Sequence, residues 1–217
     1  MNARPRVKVC CIASVEEMRA AVECGAAAVG LVSEMPSGPG VISEELIAEI
    51  AARVPPPVAT FLLTCARDAE TIVRQQRRCR VNTLQLCDSV AREVHEELRE
   101  RLPGVSLVQV VHVSGEESYR EALEVAPRVD ALLLDSGNQR LAVKELGGTG
   151  RTHDWRVSRR IVEDSPAPVF LAGGLRPENV AEAVGRVRPF GLDVCSGVRT
   201  GGRLDAEKLN RFFAHIV

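Results

Sequence analysis

Two side chains in this sequence have the chemistry and the position for proton transfer, Cys10 and Asp135. Cys10 lies in an apolar run that begins at Val7, and Lys8, two residues before it, shares its face of a strand. A nearby cation favours the thiolate, the form of cysteine that acts as a base or nucleophile. Asp135 directly follows three leucines, where a carboxyl can act as a general acid or base. The alternatives are a small core cysteine and a carboxylate that caps a loop.

Three glycine-rich segments have the composition of phosphate-binding loops. Backbone N–H groups without neighbouring side chains can bind a dianion at the end of a strand. The segments are GGTGRT with Gly147, Gly148 and Gly150, LAGGL with Gly173 and Gly174, and CSGV with Ser196 and Gly197. The first is not a P-loop, because Glu145 and Arg151 stand where that motif needs glycine and lysine. Isolated Gly-Gly turns, which are common in loops, are the alternative to phosphate binding.

Further polar residues fall at or near the predicted strand ends. Asp193 lies inside the last predicted strand, so it is either a substrate-binding residue or the partner of a charge such as Lys8. Lys8 is likewise a candidate substrate-binding residue. His112 ends a predicted strand and can face the same site, whereas the pattern places His95 on a helix surface.

Short β-branched runs alternate with amphipathic stretches along the whole chain. The pattern predicts strands at 7–12, 27–32, 58–63, 82–87, 105–113, 129–135, 169–172 and 191–195. It predicts helices at 14–24, 43–52, 68–79, 90–101, 114–126, 154–163, 177–188 and 205–215. Eight strand–helix pairs in 217 residues leave no room for a second domain. We therefore expect an α/β fold, a single-domain (β/α)8 TIM barrel over residues 1–217, with its site at the carboxyl ends of the strands.

Composition excludes several classes of protein. Lys and Arg total 28 against 29 Asp and Glu, and aromatic residues make up 3%, which argues against a nucleic-acid or membrane-surface partner. The seven cysteines show no C-x-x-C spacing, so we expect free thiols and no metal site. The absence of an apolar leader or a 20-residue apolar run predicts a cytoplasmic protein.

The motifs VKVCCI, AVGLV, LLLDS, GGTGRTHDW, LAGGLRPENV and DVCSGV resemble those of the phosphoribosylanthranilate isomerases in order and spacing. The resemblance implies an aldose–ketose isomerase of tryptophan biosynthesis that binds a phosphorylated sugar, as a monomer or homodimer, without a cofactor or metal. It implies an Amadori rearrangement with Asp135 as general acid and Cys10 as general base. The phosphate-binding positions of the family match Gly148, Gly173, Gly174, Ser196 and Gly197.

The sequence departs from the family pattern in its first half. Cys11 stands in place of a glycine, Gly40 in place of an arginine that holds the anthranilate carboxylate, and Cys87–Asp88 in place of His-Gly. We expect an arginine restored at position 40 to raise activity on anthranilate substrates. The alternatives are an isomerase in which Arg199, Arg151 or Arg203 compensates, an isomerase or lyase of another phosphosugar, and a phosphometabolite-binding protein.

Overall fold

The computed structural model describes residues 4–36, 38–137 and 152–216. Eight parallel strands hydrogen-bond in chain order, and the last pairs with the first to close a barrel. The strands are β1 (Arg6–Val9), β2 (Ala28–Val32), β3 (Ala59–Thr64), β4 (Thr83–Leu86), β5 (Ser106–His112), β6 (Ala131–Asp135), β7 (Val169–Leu171) and β8 (Gly191–Val194). The predicted barrel is therefore confirmed, whereas the single domain over 1–217 stays a prediction.

Eight helices cover the outside of the barrel in the described ranges. They are α1 (Val15–Glu23), α2 (Glu44–Ala51), α3 (Ala69–Cys79), α4 (Arg92–Arg101), α5 (Glu116–Val125), α6 (Trp155–Asp164), α7 (Val180–Val187) and α8 (Ala206–Ala214). A small hairpin, β9 (Arg199–Thr200) and β10 (Arg203–Leu204), separates β8 from α8. None of these helices has the length and apolar character that a bilayer crossing requires.

Each strand buries both of its faces, which explains the continuous apolar runs. In β6, Leu132 and Leu134 pack in the layer between strands and helices. Ala131 and Leu133 belong to a second cluster, formed by the inward-facing side chains of the strands. We call this second cluster the barrel interior. The period-two alternation of the strands thus separates residues that stabilise the helix layer from residues that can line a site.

The alternation stops at the end of β1. Alternation along the strand predicted at 7–12 would place Ile12 on the same face as Lys8 and Cys10, but the observed strand ends at Val9 and Cys11 has a left-handed backbone with φ of 61°. Cys11 joins Cys10 in the barrel interior, while Ile12 packs in the outer layer. The prediction for Ile12 is therefore wrong, because a left-handed residue interrupts the extended geometry that the alternation requires.

Most predicted helix caps are present, and two boundaries differ. Ser14 caps α1 by accepting a hydrogen bond from the backbone N–H of Glu17 at 3.2 Å. The helix predicted over 114–126 would have Ser114 as its cap, which is wrong: Gly115 is the N-cap residue of α5 and provides no side-chain hydrogen bond. Helix α7 begins at Val180 rather than in the turn that contains Pro177.

His95 is buried, in contrast to the surface position that its helix pattern suggested. Its Nε2 lies 3.1 Å from Oε1 of Gln109 on β5. The amide Nε2 of Gln109 donates to the backbone oxygens of Leu86 and Asp88 at 3.0 and 2.9 Å. The imidazole therefore links α4 to the loop that follows β4. Periodicity failed here because a single polar residue on a helix does not reveal a polar partner on a distant strand.

Candidate active site

A buried ion pair lies at the junction where the barrel closes. Lys8 of β1 is completely buried, and its Nζ donates to Oδ1 of Asp193 on β8 at 2.8 Å. Burial alone would lower the pKa of Lys8, but Asp193 and the Cys10 sulfur raise it above its ordinary value. Of the two alternatives left open for Asp193, the structure supports the pairing with Lys8. Lys8 is therefore a fixed cation in the barrel interior.

Cys10 lies beside this cation at the carboxyl end of β1. A Cβ added to Gly30 of β2 would be 2.9 Å from Cys10 Sγ and 2.9 Å from Lys8 Nζ, so the two atoms meet over this glycine. A hydrogen bond from Cys11 is the main cause that lowers the pKa of Cys10; burial and Asp193 oppose it, and Lys8 supports it. The net effect favours the Cys10 thiolate. Gly30 was not singled out from the sequence, although a glycine inside a strand indicates a close approach.

Three sulfur atoms are connected at this corner of the barrel. Cys195 Sγ lies 2.8 Å from Cys11 Sγ and donates to it. The hydrogen bond to Cys10 raises the pKa of Cys11, and so does the bond to Cys195, with burial acting in the same direction. Cys11 therefore remains a thiol that donates its proton toward Cys10. Cys11 thus has a role in the site, beyond marking a departure from the family motif.

A buried arginine fixes the backbone of both cysteines. The guanidinium of Arg199 donates to the carbonyl oxygen of Cys10 at 3.2 Å and to that of Cys11. It also pairs with the carboxylate of Glu17 at 3.0 and 3.1 Å. That carboxylate accepts from the backbone N–H of Leu204 at 2.8 Å as well. Arg199 is thus engaged within the protein, and its ion pair with Glu17 does not leave it as a free cation for a substrate carboxylate.

Asp135 ends β6 on another wall of the same barrel end. Burial raises its pKa, while the backbone N–H of Ser136, which donates to Oδ1 at 2.7 Å, and the nearby His112 oppose the shift. His112 is in register with Asp135, and its Nε2 donates to the carbonyl oxygen of Cys87 at 3.0 Å. Burial therefore keeps the Asp135 carboxyl protonated to higher pH than a free aspartic acid.

The acid and the thiol belong to one electrostatic site. Lys8 and Asp193 both shift the pKa of Cys10, and both also act on the pKa of Asp135. Among the residues that the structure describes, no group of three or more His, Cys, Asp or Glu side chains is arranged to hold a metal ion. The side chains present can exchange protons with a substrate, one as an acid and one as a base.

The glycine loops after β7 and β8 contact each other. Gly173 and Gly174 have φ values of 80° and 63°, which glycine adopts without strain. A Cβ on Gly197 would lie 1.9 Å from the carbonyl oxygen of Leu175, so the second loop packs directly on the first. Ser196 begins a short 3-10 turn at this point and is exposed. Gly148, the remaining predicted phosphate-binding residue, lies outside the described residues.

Two of the departures from the family pattern are in direct contact. A Cβ added to Gly40 would lie 2.5 Å from the Cβ of Cys11, and Gly40 has a φ of 81°. Any side chain at position 40 would collide with the cysteine that replaces the family glycine. This contact argues against the expectation that arginine at position 40 alone raises activity, because Cys11 occupies the space that its Cβ needs.

The third departure is buried at the end of β4. Cys87 lies in the barrel interior, and burial raises its pKa. The carboxylate of Asp88 is also buried, and its Oδ1 accepts from the backbone N–H of Ser89 at 2.9 Å. Asp88 is therefore integrated into its own loop.

A closed barrel with an acid, a thiol and two glycine loops at the carboxyl ends of its strands defines a class, the (β/α)8-barrel enzymes. The family described as N-(5'phosphoribosyl)anthranilate (PRA) isomerase matches residues 7–215. The chain belongs to this family.

Individual relatives agree with this assignment. An isomerase of this name from Methanocella arvoryzae is 35% identical over 208 residues, covering 96% of this chain and 95% of its own. One from Haloferax volcanii is 38% identical over 211 residues, with 96% and 91% covered. The solved phosphoribosyl anthranilate isomerase of Thermotoga maritima has a TM-score of 0.84 and 31% identity, with 98% of each chain covered.

The close approach over Gly30 gives a first prediction. We expect Gly30→Ala to lower kcat by about tenfold or more, because its methyl group must displace Cys10 Sγ or Lys8 Nζ by a distance that matters for catalysis. Gly185→Ala on α7, where nothing lies within 4 Å of the added Cβ, should leave kcat unchanged. Steady-state kinetics with circular dichroism of both variants makes the comparison. Equal activity of the two variants would contradict the geometry.

Proposed function

We propose that this chain is a phosphoribosylanthranilate isomerase in which Asp135 is the general acid and Cys10 the general base. One observation carries the assignment of roles: the same barrel end raises the pKa of a carboxyl and lowers that of a thiol. A protonated acid and a thiolate are the two forms that an aldose–ketose rearrangement requires. The same proposal describes a cytoplasmic enzyme of one domain over 1–217, monomeric or homodimeric, that uses no cofactor.

The proposed reaction needs two proton transfers. Asp135 gives its proton to the ring oxygen of the phosphoribosyl group while the bond from that oxygen to C1 breaks and the amine nitrogen forms a double bond to C1. The Cys10 thiolate then removes the proton from C2, and the electron pair of that C–H bond forms the C1–C2 double bond of an enolamine. Return of a proton to C1 and loss of the proton from the C2 hydroxyl give the aminoketose. Atoms and charge balance without a metal or a redox partner.

The opposite pKa shifts matter because the ordinary values are in the wrong order. With an ordinary pKa of about 3.9 for an aspartic acid and about 8.5 for a cysteine, a protonated carboxyl and a thiolate are present together in only roughly one molecule in 10^4 to 10^5. Burial raises the pKa of Asp135, and the hydrogen bond from Cys11 lowers that of Cys10, so the two values approach each other. Each unit of approach increases the reacting fraction by about tenfold.

The glycine loops supply the other half of the proposed site. We assign Gly148, Gly173, Gly174, Ser196 and Gly197 to the substrate phosphate; Gly148 lies outside the described residues. Support comes from their position after β7 and β8 and from the contact of Gly197 with Leu175. Phosphate bound there would anchor one end of the sugar while Asp135 and Cys10 act on the other.

Removal of the acid and the base tests the proposal. We expect Cys10→Ala and Asp135→Asn each to lower kcat by about 10^2- to 10^4-fold, the usual contribution of a proton-transfer group. Loss of phosphoribosylanthranilate fluorescence follows the reaction, and Cys24→Ala, which alters a thiol at the end of α1, is the matched control. If the wild-type protein binds reduced 1-(o-carboxyphenylamino)-1-deoxyribulose 5-phosphate but does not turn over phosphoribosylanthranilate, the phosphometabolite-binding alternative is favoured instead.

The pH dependence of the rate tests the role of Cys11. Its thiol lowers the pKa of Cys10, so Cys11→Ala should raise that pKa while leaving the Cβ in place. We expect the limb of the pH–rate profile that belongs to Cys10 to move to higher pH and the limb of Asp135 to stay. A profile that superimposes on that of the wild type would mean that Cys11 does not polarise the base.

The contact between Cys11 and Gly40 predicts a coupled substitution. Gly40→Arg alone should lower activity because its Cβ collides with Cys11, whereas the double variant Cys11→Gly/Gly40→Arg should recover activity relative to Gly40→Arg. Glycine at position 11 also suits the left-handed backbone. KM for phosphoribosylanthranilate in the four members of this cycle measures the coupling. Additive effects would show that the two positions act independently.

A further inference from the structure

We propose that His153 is a further catalytic residue, whose Nδ1–H donates a hydrogen bond to the sugar ring oxygen that Asp135 protonates. The inference rests on the proposed function, because it assigns a second group to the acid side of the same reaction. In the sequence, His153 stands immediately before the helix predicted over 154–163, a position that by itself indicates no function. In the fold, it precedes α6 and turns toward the end of β6.

Gly173 shows how close the imidazole comes to the acid. A Cβ on Gly173 would lie 3.1 Å from Nδ1 of His153, 3.1 Å from Oγ of Ser136 and 3.2 Å from Oδ1 of Asp135. Three polar atoms from two segments, the end of β6 and the residue that precedes α6 by two positions, therefore converge on one small space, which the missing side chain of Gly173 keeps open. A substrate oxygen held by Asp135 at this place is within reach of the imidazole.

The Nδ1 atom is the unused end of this imidazole. It is buried and has no hydrogen-bond partner in the described part of the chain. The other ring nitrogen, Nε2, lies 2.7 Å from Oγ of Ser158, a completely buried residue of α6. An unpaired buried ring nitrogen costs free energy, so its retention beside the acid is explained by a partner that arrives with the substrate.

The environment of His153 favours the neutral imidazole. Burial lowers its pKa to about 4, with Asp154 opposing the shift. A neutral ring carries one proton, and when Ser158 donates to Nε2 that proton is on Nδ1. The ring then presents an N–H donor to the space over Gly173 while adding no charge next to Asp135.

Such a donor would act when the sugar ring opens. The breaking C1–O bond leaves growing negative charge on the ring oxygen, and Asp135 transfers its proton to that oxygen. A second, fixed N–H at the same oxygen stabilises this charge more than it stabilises the intact substrate. His153 neither gains nor loses a proton in the step. Its contribution should therefore appear in kcat more than in KM.

Three substitutions of His153 separate the effect of its N–H donor on the rate from the effect of its packing. His153→Phe retains an aromatic ring and removes both nitrogens. His153→Asn places an amide N–H near the position of Nδ1, and His153→Gln places one near Nε2. We expect kcat to fall by about 10- to 100-fold in the Phe and Gln variants and to recover substantially in the Asn variant. His215→Gln, at an exposed residue, is the control.

The outcomes distinguish this inference from the proposed function. If Asp135→Asn abolishes turnover while His153→Phe keeps the kcat of the wild type, the role of His153 is wrong and the isomerase proposal is unaffected. Equal kcat values for the Asn and Gln variants would also overturn the role of Nδ1. Full activity of Asp135→Asn would instead contradict the acid itself.

A measurement on the unaltered protein remains decisive if a variant fails to fold. NMR of the protein with 15N-labelled histidine reports which ring nitrogen carries the proton. The resonance of His153 is assigned by its absence from the spectrum of a His153 variant or by the slow exchange of its N–H proton with solvent. We expect a protonated Nδ1 whose shift changes with reduced 1-(o-carboxyphenylamino)-1-deoxyribulose 5-phosphate but not with inorganic phosphate alone. A proton on Nε2, or the same change with phosphate alone, would overturn the inference.

Discussion

The buried ion pair between Lys8 and Asp193 is the interaction on which the site depends. It joins β1 to β8, the two strands that close the barrel, and it places a completely buried ammonium in the interior. Removing one partner of such a pair typically costs roughly 3 to 5 kcal/mol, because the other charge stays buried. The same two charges act on both Cys10 and Asp135. Barrel closure and the electrostatics of the candidate site are thus linked through one contact.

Beside this pair, the bend at Cys11 determines the position of Cys10, the proposed base. The left-handed backbone of Cys11 turns two successive thiols into the barrel interior, and Arg199 holds the carbonyl groups of both. Gly40 must then be a glycine, since the Cβ of Cys11 occupies the neighbouring space. The two departures from the family motif, Cys11 and Gly40, are therefore one structural change, in which the side chain of Cys11 fills the space that a long side chain at position 40 would need.

Much of the fold was predictable because hydrophobic periodicity is a local signal. The strand and helix alternation identified all eight units, and Lys8 and Asp193 were recognised as a potential pair because both are charges inside apolar strands. The inward turn of Cys11 could not be predicted, since a cysteine in the sequence does not indicate a backbone with positive φ. It also could not show that His95 meets Gln109 or that Gly30 and Gly173 keep space open for polar atoms. Those contacts depend on the three-dimensional register of separate strands.

A second thiol in the barrel interior provides a comparison for the pKa of Cys10, the proposed base. Cys87 lies in the same cluster as Cys10, and burial raises its pKa, as expected for a thiol removed from water. Burial acts on Cys10 in the same direction, yet its pKa is lowered, because Cys11 donates a hydrogen bond and Lys8 supplies a positive charge. For Asp135, burial is the main cause that raises the pKa, toward the protonated form, and Asp193 acts in the same direction. Burial at this barrel end therefore favours the form of Asp135 that the proposed acid needs, whereas Cys10, the proposed base, needs the specific partners that the bend at Cys11 brings to it.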